Sequence, residues 1–129
     1  MFIRLDNRRQ TGRWGEQFAV EYLTRSLGWA VLEQNWRAPI GEIDIIAESR
    51  GELVLVEVRT RRSPGFGTAV DSVGIRKQRR LYLLARWLVS TPAYARFRDS
   101  VRIDVIGLQY DGGRFTRIEH IRSVGIDAM

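Results

Sequence analysis

The stretch that most limits how this chain can fold is GEIDIIAESRGELVLVEVRTRR, from Gly41 to Arg62. It reads as two strands around the four-residue turn Ser49–Arg50–Gly51–Glu52. The second strand, Leu53 to Thr60, is nearly continuous in apolar residues. Such a strand is buried on both faces, so its sheet needs a covering layer on each side. Three charges interrupt the apolar runs: Asp44 in the first strand, Glu57 and Arg59 in the second. Charges inside buried strands are costly unless they are paired or bind a cation, so these three need a reason.

The covering layers lie on either side of the hairpin. Thr11 to Leu27 carries Trp14, Phe18, Ala19, Tyr22, Leu23 and Leu27 mostly at spacings of three and four. That predicts a helix with Thr11 as its cap and Gly28 as its stop. A second helix is predicted from about Gly74 to Ser90, ending before Pro92. Trp29 to Trp36, Glu42 to Glu48, Val101 to Gln109 and a short edge run from Phe115 to Ile121 read as further strands, with RSPGFGTA (Arg62 to Ala69) as a loop. The order is helix, three strands, helix, strand, short strand, which describes an α/β sandwich with a mixed sheet. No repeat, low-complexity tract or interior linker divides the chain, and 129 residues fit one domain, with residues 1–10 as an arm.

Charge narrows the partners. The net charge is +6 and the sequence pI about 10.7, which favours a polyanion, nucleic acid ahead of an anionic membrane. Of the 21 basic residues all but Lys77 are Arg. Arg forks onto phosphates with paired N–H groups, although a coding bias toward Arg gives the same imbalance. The absence of Cys agrees with a reducing cytoplasm. MFIRLDNRRQ lacks the apolar core of a secretory signal, and no window approaches the ~20 apolar residues of a membrane span. The expectation is a soluble, cytoplasmic protein with no membrane partner. His120 is the only His, which excludes a cage of several histidines, and neither a Ser/His/Asp set nor a glycine-rich phosphate loop is apparent.

The strand charges can be placed relative to one another. If Glu48 pairs with Leu53 across the turn, Asp44 lies opposite Glu57 with Cβ atoms about 5 Å apart. Arg59 shares that face, two residues on. A slip of one residue would offset the two acids. Like charges that close repel and raise one pKa, and a hard cation such as Mg²⁺ relieves the repulsion. An ion pair of Arg59 with Asp44 or Glu57, with no chemistry, satisfies the same pattern. Glu16 shares a row with Val20, Leu23 and Leu27, so it can bring a third carboxylate over the sheet; favourable placement near a helix start is the other reason for an acid there. Lys77 shares a row with Leu81, Leu84 and Leu88, and Gln78 with Tyr82, Ala85 and Val89. Both point inward near the helix start, unless Lys77 snorkels to the surface and Gln78 and Tyr82 simply pack.

The ordered set resembles the PD-(D/E)xK nuclease superfamily: an acid on helix one, GEID on a strand, VEVRTR on the next and KQRRL opening helix two. Within it the chain resembles the YraN family, similar to archaeal Holliday-junction resolvases, over roughly Gly12 to Gly107. The resemblance implies a restriction-endonuclease-like αβββαβ core, a mixed sheet flanked by helices, forming one nuclease-like domain over 1–129. It implies a metal-dependent endonuclease hydrolysing phosphodiester bonds in DNA, selective for structure such as branched DNA. Glu16 matches the helix acid, Asp44 the motif Asp and Glu57 the D/E, and together they would hold Mg²⁺ or Mn²⁺. QRRLY, Gln78 to Tyr82, resembles the Q-x-x-x-Y element of RecB-like nucleases.

Two departures stand out. Ile43 replaces the motif Pro, which supplies no chemistry. Arg59 replaces the motif Lys and cannot lose its proton at neutral pH. It can still hold a phosphate and stabilise its growing charge, while Lys77 takes the other role from helix two. Glu57, Arg59, Lys77 and Gln78 are then the catalytic candidates. Arg61, Arg62, Arg76, Arg79 and Arg80 would grip flanking phosphates without reading bases. DNA is favoured over RNA, and a homodimer with Phe66, Tyr94 and Phe97 as contacts is a weaker expectation; for each ring singly, packing on its own domain is the favoured reading. The rivals are a non-catalytic nucleic-acid-binding module on the same fold and a scaffold or ribosome-associated factor with a vestigial site.

Overall fold

Turn chemistry and apolar periodicity set the elements. The structure, a computed structural model, describes residues 8–62 and 73–124. Helix α1 spans Arg8–Glu21 and continues as a π-helical turn over Tyr22–Ser26. Gly28 follows with φ +71, the left-handed stop that its lack of a Cβ permits. Strands β1 (Ala30–Ala38), β2 (Gly41–Ser49) and β3 (Glu52–Arg61) come next, then α2 (Ile75–Ser90), a 3₁₀ turn (Ala95–Phe97), β4 (Val101–Asp111) and β5 (Arg114–Ile121). The strands form one sheet in the order β1-β2-β3-β4-β5. Only β3 and β4 run parallel, with α2 in the crossover between them; the other neighbours are antiparallel. This is the expected αβββαβ order in an α/β mixed sheet, with β5 added at the edge.

The β2–β3 register is the one the turn predicts. Glu48 pairs with Leu53, and the ladder continues to Ile45↔Val56. Each face carries its own core. On one side Leu81, Leu84, Ala85 and Leu88 of α2 pack on Ile43, Ile46, Leu53, Leu55 and Ile103. On the other, Ala19 and Leu23 pack on Ile45, Ala47, Val54, Val56, Ile106 and Leu108. Leu53 to Val56 have no exposed surface, as a strand covered on both sides requires. Each large side chain so buried contributes about 1.5–3 kcal/mol.

Two expectations need correcting. The helix begins at Arg8, not at Thr11; Thr11 is 1 % exposed and lies inside the helix. Arg and Gln are good helix formers, so α1 runs back past the apparent cap and takes up part of the expected arm. Tyr94 and Phe97 are 8 % and 3 % exposed and belong to the α2-side core, so each packs on its own domain, the favoured of the two readings, in place of standing out as a contact for a second copy. The 3₁₀ turn folds both rings inward. Phe66 and most of its loop lie outside the described residues. Among the described residues no helix is long and apolar enough to cross a membrane.

Candidate active site

The sheet forks where its acids sit. Strand β2 stays paired with β1 as far as Ala38↔Gly41, and β3 stays paired with β4 as far as Arg61↔Gln109. The β2–β3 ladder, however, stops at Ile45↔Val56. One residue beyond, the Asp44 side chain takes over: the Val58 N–H donates to Asp44 Oδ2 at 2.8 Å. Alternation breaks at the same place, because Ile43 joins the core of Ile46 three residues away. Asn35, flanked by the pairs Gln34↔Ile45 and Trp36↔Ile43, has φ +54. Asn tolerates that left-handed conformation better than most residues. The Gly41 tip lies against α2, where a Cβ on Gly41 would stand 3.3 Å from the Arg80 side chain.

Asp44 and Glu57 meet at the fork, only 8 % and 4 % exposed. Burial pushes the Glu57 carboxyl up to about 7, and the neighbouring Asp44 charge adds to the rise. Asp44 is also raised, first by burial, against the opposing effects of the Val58 N–H and the Lys77 charge. The two carboxyls interact with each other, in the sense that lowers Asp44 and raises Glu57. Lys77 Nζ reaches Glu57 Oε2 from α2 at 3.6 Å, and Arg59 Nη1 stands 3.5 Å from the same oxygen.

Glu16 approaches from α1. Gly15 makes this possible: a Cβ there would collide with Thr60 Oγ1 on β3, so only glycine lets the helix lie this close. Burial raises Glu16 to about 7, with the charges of Asp44 and Glu42 adding to it and a hydrogen bond to Asn35 opposing it. Glu16 therefore feels Asp44 through charge, without a hydrogen bond between them.

The donor set suits a hard divalent cation in its chemistry: two carboxyls in contact, both raised by burial, and a third that feels the Asp44 charge. In its present geometry, among the described residues no three acidic, His or Cys side chains converge closely enough to hold a metal ion.

The other expected residues are spread around this point. The Gln78 side chain donates to the Val73 carbonyl at 3.0 Å, fixing the start of α2 and not touching the acids in this structure. Arg59 and Arg61 line a cleft of about 260 Å³ with Val58 and Thr60 at the end of β3, and Arg62 follows. Arg76, Arg79 and Arg80 are exposed on the first turns of α2. Sequence reasoning missed Gly15, Asn35 and Glu42. The signals were a glycine immediately before the helix acid, an asparagine within an otherwise regular strand, and an acid two residues before Asp44.

A second set of buried charges lies on the α1 side. Asp104, with no exposed surface, accepts from Arg102 Nε at 3.0 Å and from the Ser123 N–H at 3.0 Å, and its other oxygen lies 2.8 Å from His120 Nε2. His120 Nδ1 is 3.0 Å from the Tyr22 hydroxyl, on the π-helical turn. Arg102 also donates to Glu52 at 2.6 Å and lies over the Trp29 ring. Burial alone would raise Asp104, but the bonds from His120, Arg102 and Ser123 outweigh it and hold the carboxyl below its ordinary range.

Comparison with known proteins identifies a family. The model of "Uncharacterised protein family UPF0102" matches residues 15–108, from Gly15 beside the helix acid to Leu108 on β4. A UPF0102 protein of Herpetosiphon aurantiacus is 38 % identical over 128 residues, covering 95 % of this chain and 98 % of that protein. Relatives from Rhodococcus opacus and Beutenbergia cavernae are 42 % and 43 % identical, covering 86 % and 88 % of this chain and 92 % and 94 % of theirs. Among solved structures, Pyrococcus furiosus SfsA, determined in complex with Ca²⁺, matches with a TM-score of 0.39 and 15 % identity. That match covers 92 % of this chain, which spans 64 % of the SfsA chain.

Proposed function

The chain belongs to the UPF0102 family, the YraN family, and we propose that it is a metal-dependent nuclease hydrolysing phosphodiester bonds in DNA. One observation carries the reading: two buried carboxyls in contact, both raised by burial, with a lysine from another element 3.6 Å from one of them. A structural ion pair does not need a second acid, whereas a cation site does.

Asp44 and Glu57 would hold Mg²⁺ or Mn²⁺, with Glu16 acting through water. Such a cation, when bound, lowers the pKa of a bound water and offsets charge building on the phosphate. Glu57 must give up its proton to serve as a ligand, which ties readiness of the site to pH near and above about 7. Arg59 stays charged and can fork onto a phosphate oxygen. Lys77, 3.6 Å from Glu57, would hold the attacking water or a phosphate oxygen in place of the motif Lys. Arg61, Arg62, Arg76, Arg79 and Arg80 would grip neighbouring phosphates. We place the protein in the cytoplasm on its lack of Cys.

Incubation with branched, flapped, single-stranded and duplex DNA, with Mg²⁺ or Mn²⁺ against chelator, tests this directly. Chelator-sensitive product is expected. Lys77→Ala should remove most cleavage while leaving binding nearly intact, and Asp44→Asn should abolish both cleavage and calorimetric cation binding. Arg59→Lys should keep activity. If about five basic groups meet phosphates, log K should fall with log salt at a slope of roughly −4 to −5. The rival binding module draws on Arg59 in place of Lys and on the incomplete convergence of the three acids. It gives the salt slope with no product on any substrate, and that outcome overturns the enzyme.

A further inference from the structure

The acid cluster uses the first turns of α2. A cleft of about 440 Å³ lies farther along the same helix, against the start of β4. That volume is within the range small ligands fill. Its floor is apolar, made by Ala85, Val89, Val101 and Ile103. Arg86 and Arg98 line it, and no acidic side chain does. Both arginines are exposed, and neither makes an ion pair among the described residues. Arg102, by contrast, has its guanidinium engaged by Glu52 and Asp104. Arg86 lies 6.0 Å above the Tyr82 ring centre and donates to its hydroxyl at 3.4 Å.

We propose that this cleft binds a nucleoside monophosphate, free or as the end of a strand. Two uncompensated guanidiniums select a phosphate, which they can fork onto. A simple anion would have no use for the apolar floor, and an apolar ligand no use for the arginines. A flat ring joined to a phosphate uses both, the ring against the apolar floor and Tyr82 and the phosphate at the arginines. Arg86 is in the row of Gln78 and Tyr82, two turns after Gln78, or about 12 Å along the helix axis. A strand held at the acid cluster would therefore have the cleft within reach of a nearby nucleotide. That last link rests on the nuclease reading; nucleotide binding by the cleft does not.

Calorimetry on the full chain tests it, with AMP, CMP, adenosine, inorganic phosphate and a 5′-phosphorylated single-stranded tetranucleotide as probes. The mononucleotides should bind about tenfold or more tightly than adenosine or phosphate. Arg86→Ala with Arg98→Ala should weaken them by a similar factor with an unchanged melting temperature, since both side chains are exposed, and Arg86→Lys should restore part of the loss. Asp44→Asn should leave nucleotide affinity unchanged, which separates this site from the acid cluster. Tighter binding of AMP identifies a free nucleotide as ligand, and tighter binding of the tetranucleotide a strand end. Phosphate binding as tight as AMP, no nucleotide binding at millimolar concentration, or a double variant that binds like wild type overturns the assignment.

Discussion

Asp44 and Asp104 are buried aspartates on the two strands that flank β3, and their surroundings are opposite. Asp104 collects a guanidinium, an imidazole and a backbone N–H, and its carboxyl is held below the ordinary range. Asp44 has one backbone N–H and faces another acid, and its carboxyl is raised. Burial is common to both; compensation is what differs. The Asp104 network joins the Tyr22 turn, β4 and β5, and its charge works for the fold. Lys77 and Arg59 offset the Asp44–Glu57 pair only in part, since both carboxyls stay raised, and a proton or a bound cation relieves what remains; carboxylates perturbed in this way are a mark of functional sites.

The largest test of this contrast is to remove each aspartate in turn. Asp104→Ala removes the buried acceptor that Arg102, His120 and the Ser123 N–H share and should cost about 3–5 kcal/mol in urea unfolding. Asp44→Asn keeps an acceptor for the Val58 N–H and removes a repelling charge, so the metal-free protein should be unharmed or about 1 kcal/mol more stable at pH 8. Equal losses for the two would erase the distinction.

The pH dependence of the metal-free protein should separate the clusters next. Folded Glu57 keeps its proton up to about 7 but loses it at an ordinary 4.5 when unfolded. The folded state holds more protons between these values, so stability should fall as the pH rises from about 4.5 to 7, by about 3 kcal/mol. Glu16 acts in the same direction, more weakly because it is partly exposed. Asp104 acts the other way: its contribution is full above its ordinary 3.8 and is lost as the pH falls below it. Denaturant titrations across pH 3–8 measure both limbs, and in Glu57→Gln the upper limb should shrink. An upper limb unchanged in that variant would show that Glu57 does not carry the proton.

Gly15→Ala should cost about 1–3 kcal/mol by pushing α1 away from Thr60. It should also weaken cation binding, because Glu16 moves with the helix. The same change with cation affinity intact would remove Glu16 from the site. The smallest effect is expected at the rim of the compensated cluster: Tyr22→Phe removes one hydrogen bond to His120 and should cost about 1 kcal/mol, read as a lowered urea midpoint, with no effect on cleavage.

Much of this was legible in the chain. The Ser49–Glu52 turn sets the β2–β3 register, and helical rows bring Lys77 inward toward Glu57. Both depend on short-range geometry, which periodicity encodes. The helix start at Arg8 was hidden because Thr11 has the residue type of a cap but a buried position, and Tyr94 and Phe97 read as loop aromatics because a 3₁₀ turn leaves no periodic trace. Asn35, beside the fork on β1, adopts a left-handed φ, which its residue type permits without requiring.

By itself, then, the amino-acid order determines the element list, the register of the central hairpin and the identity of the acids, since all three follow from contacts between near neighbours. Tertiary structure alone decides which buried carboxylate is neutralised. Tyr22 and His120 are 98 residues apart along the chain, yet His120 lies against both Tyr22 and Asp104. Desolvation and charge act through space, so Asp104 becomes a strut and Asp44 a candidate ligand only once the helices and the edge strand have packed around them.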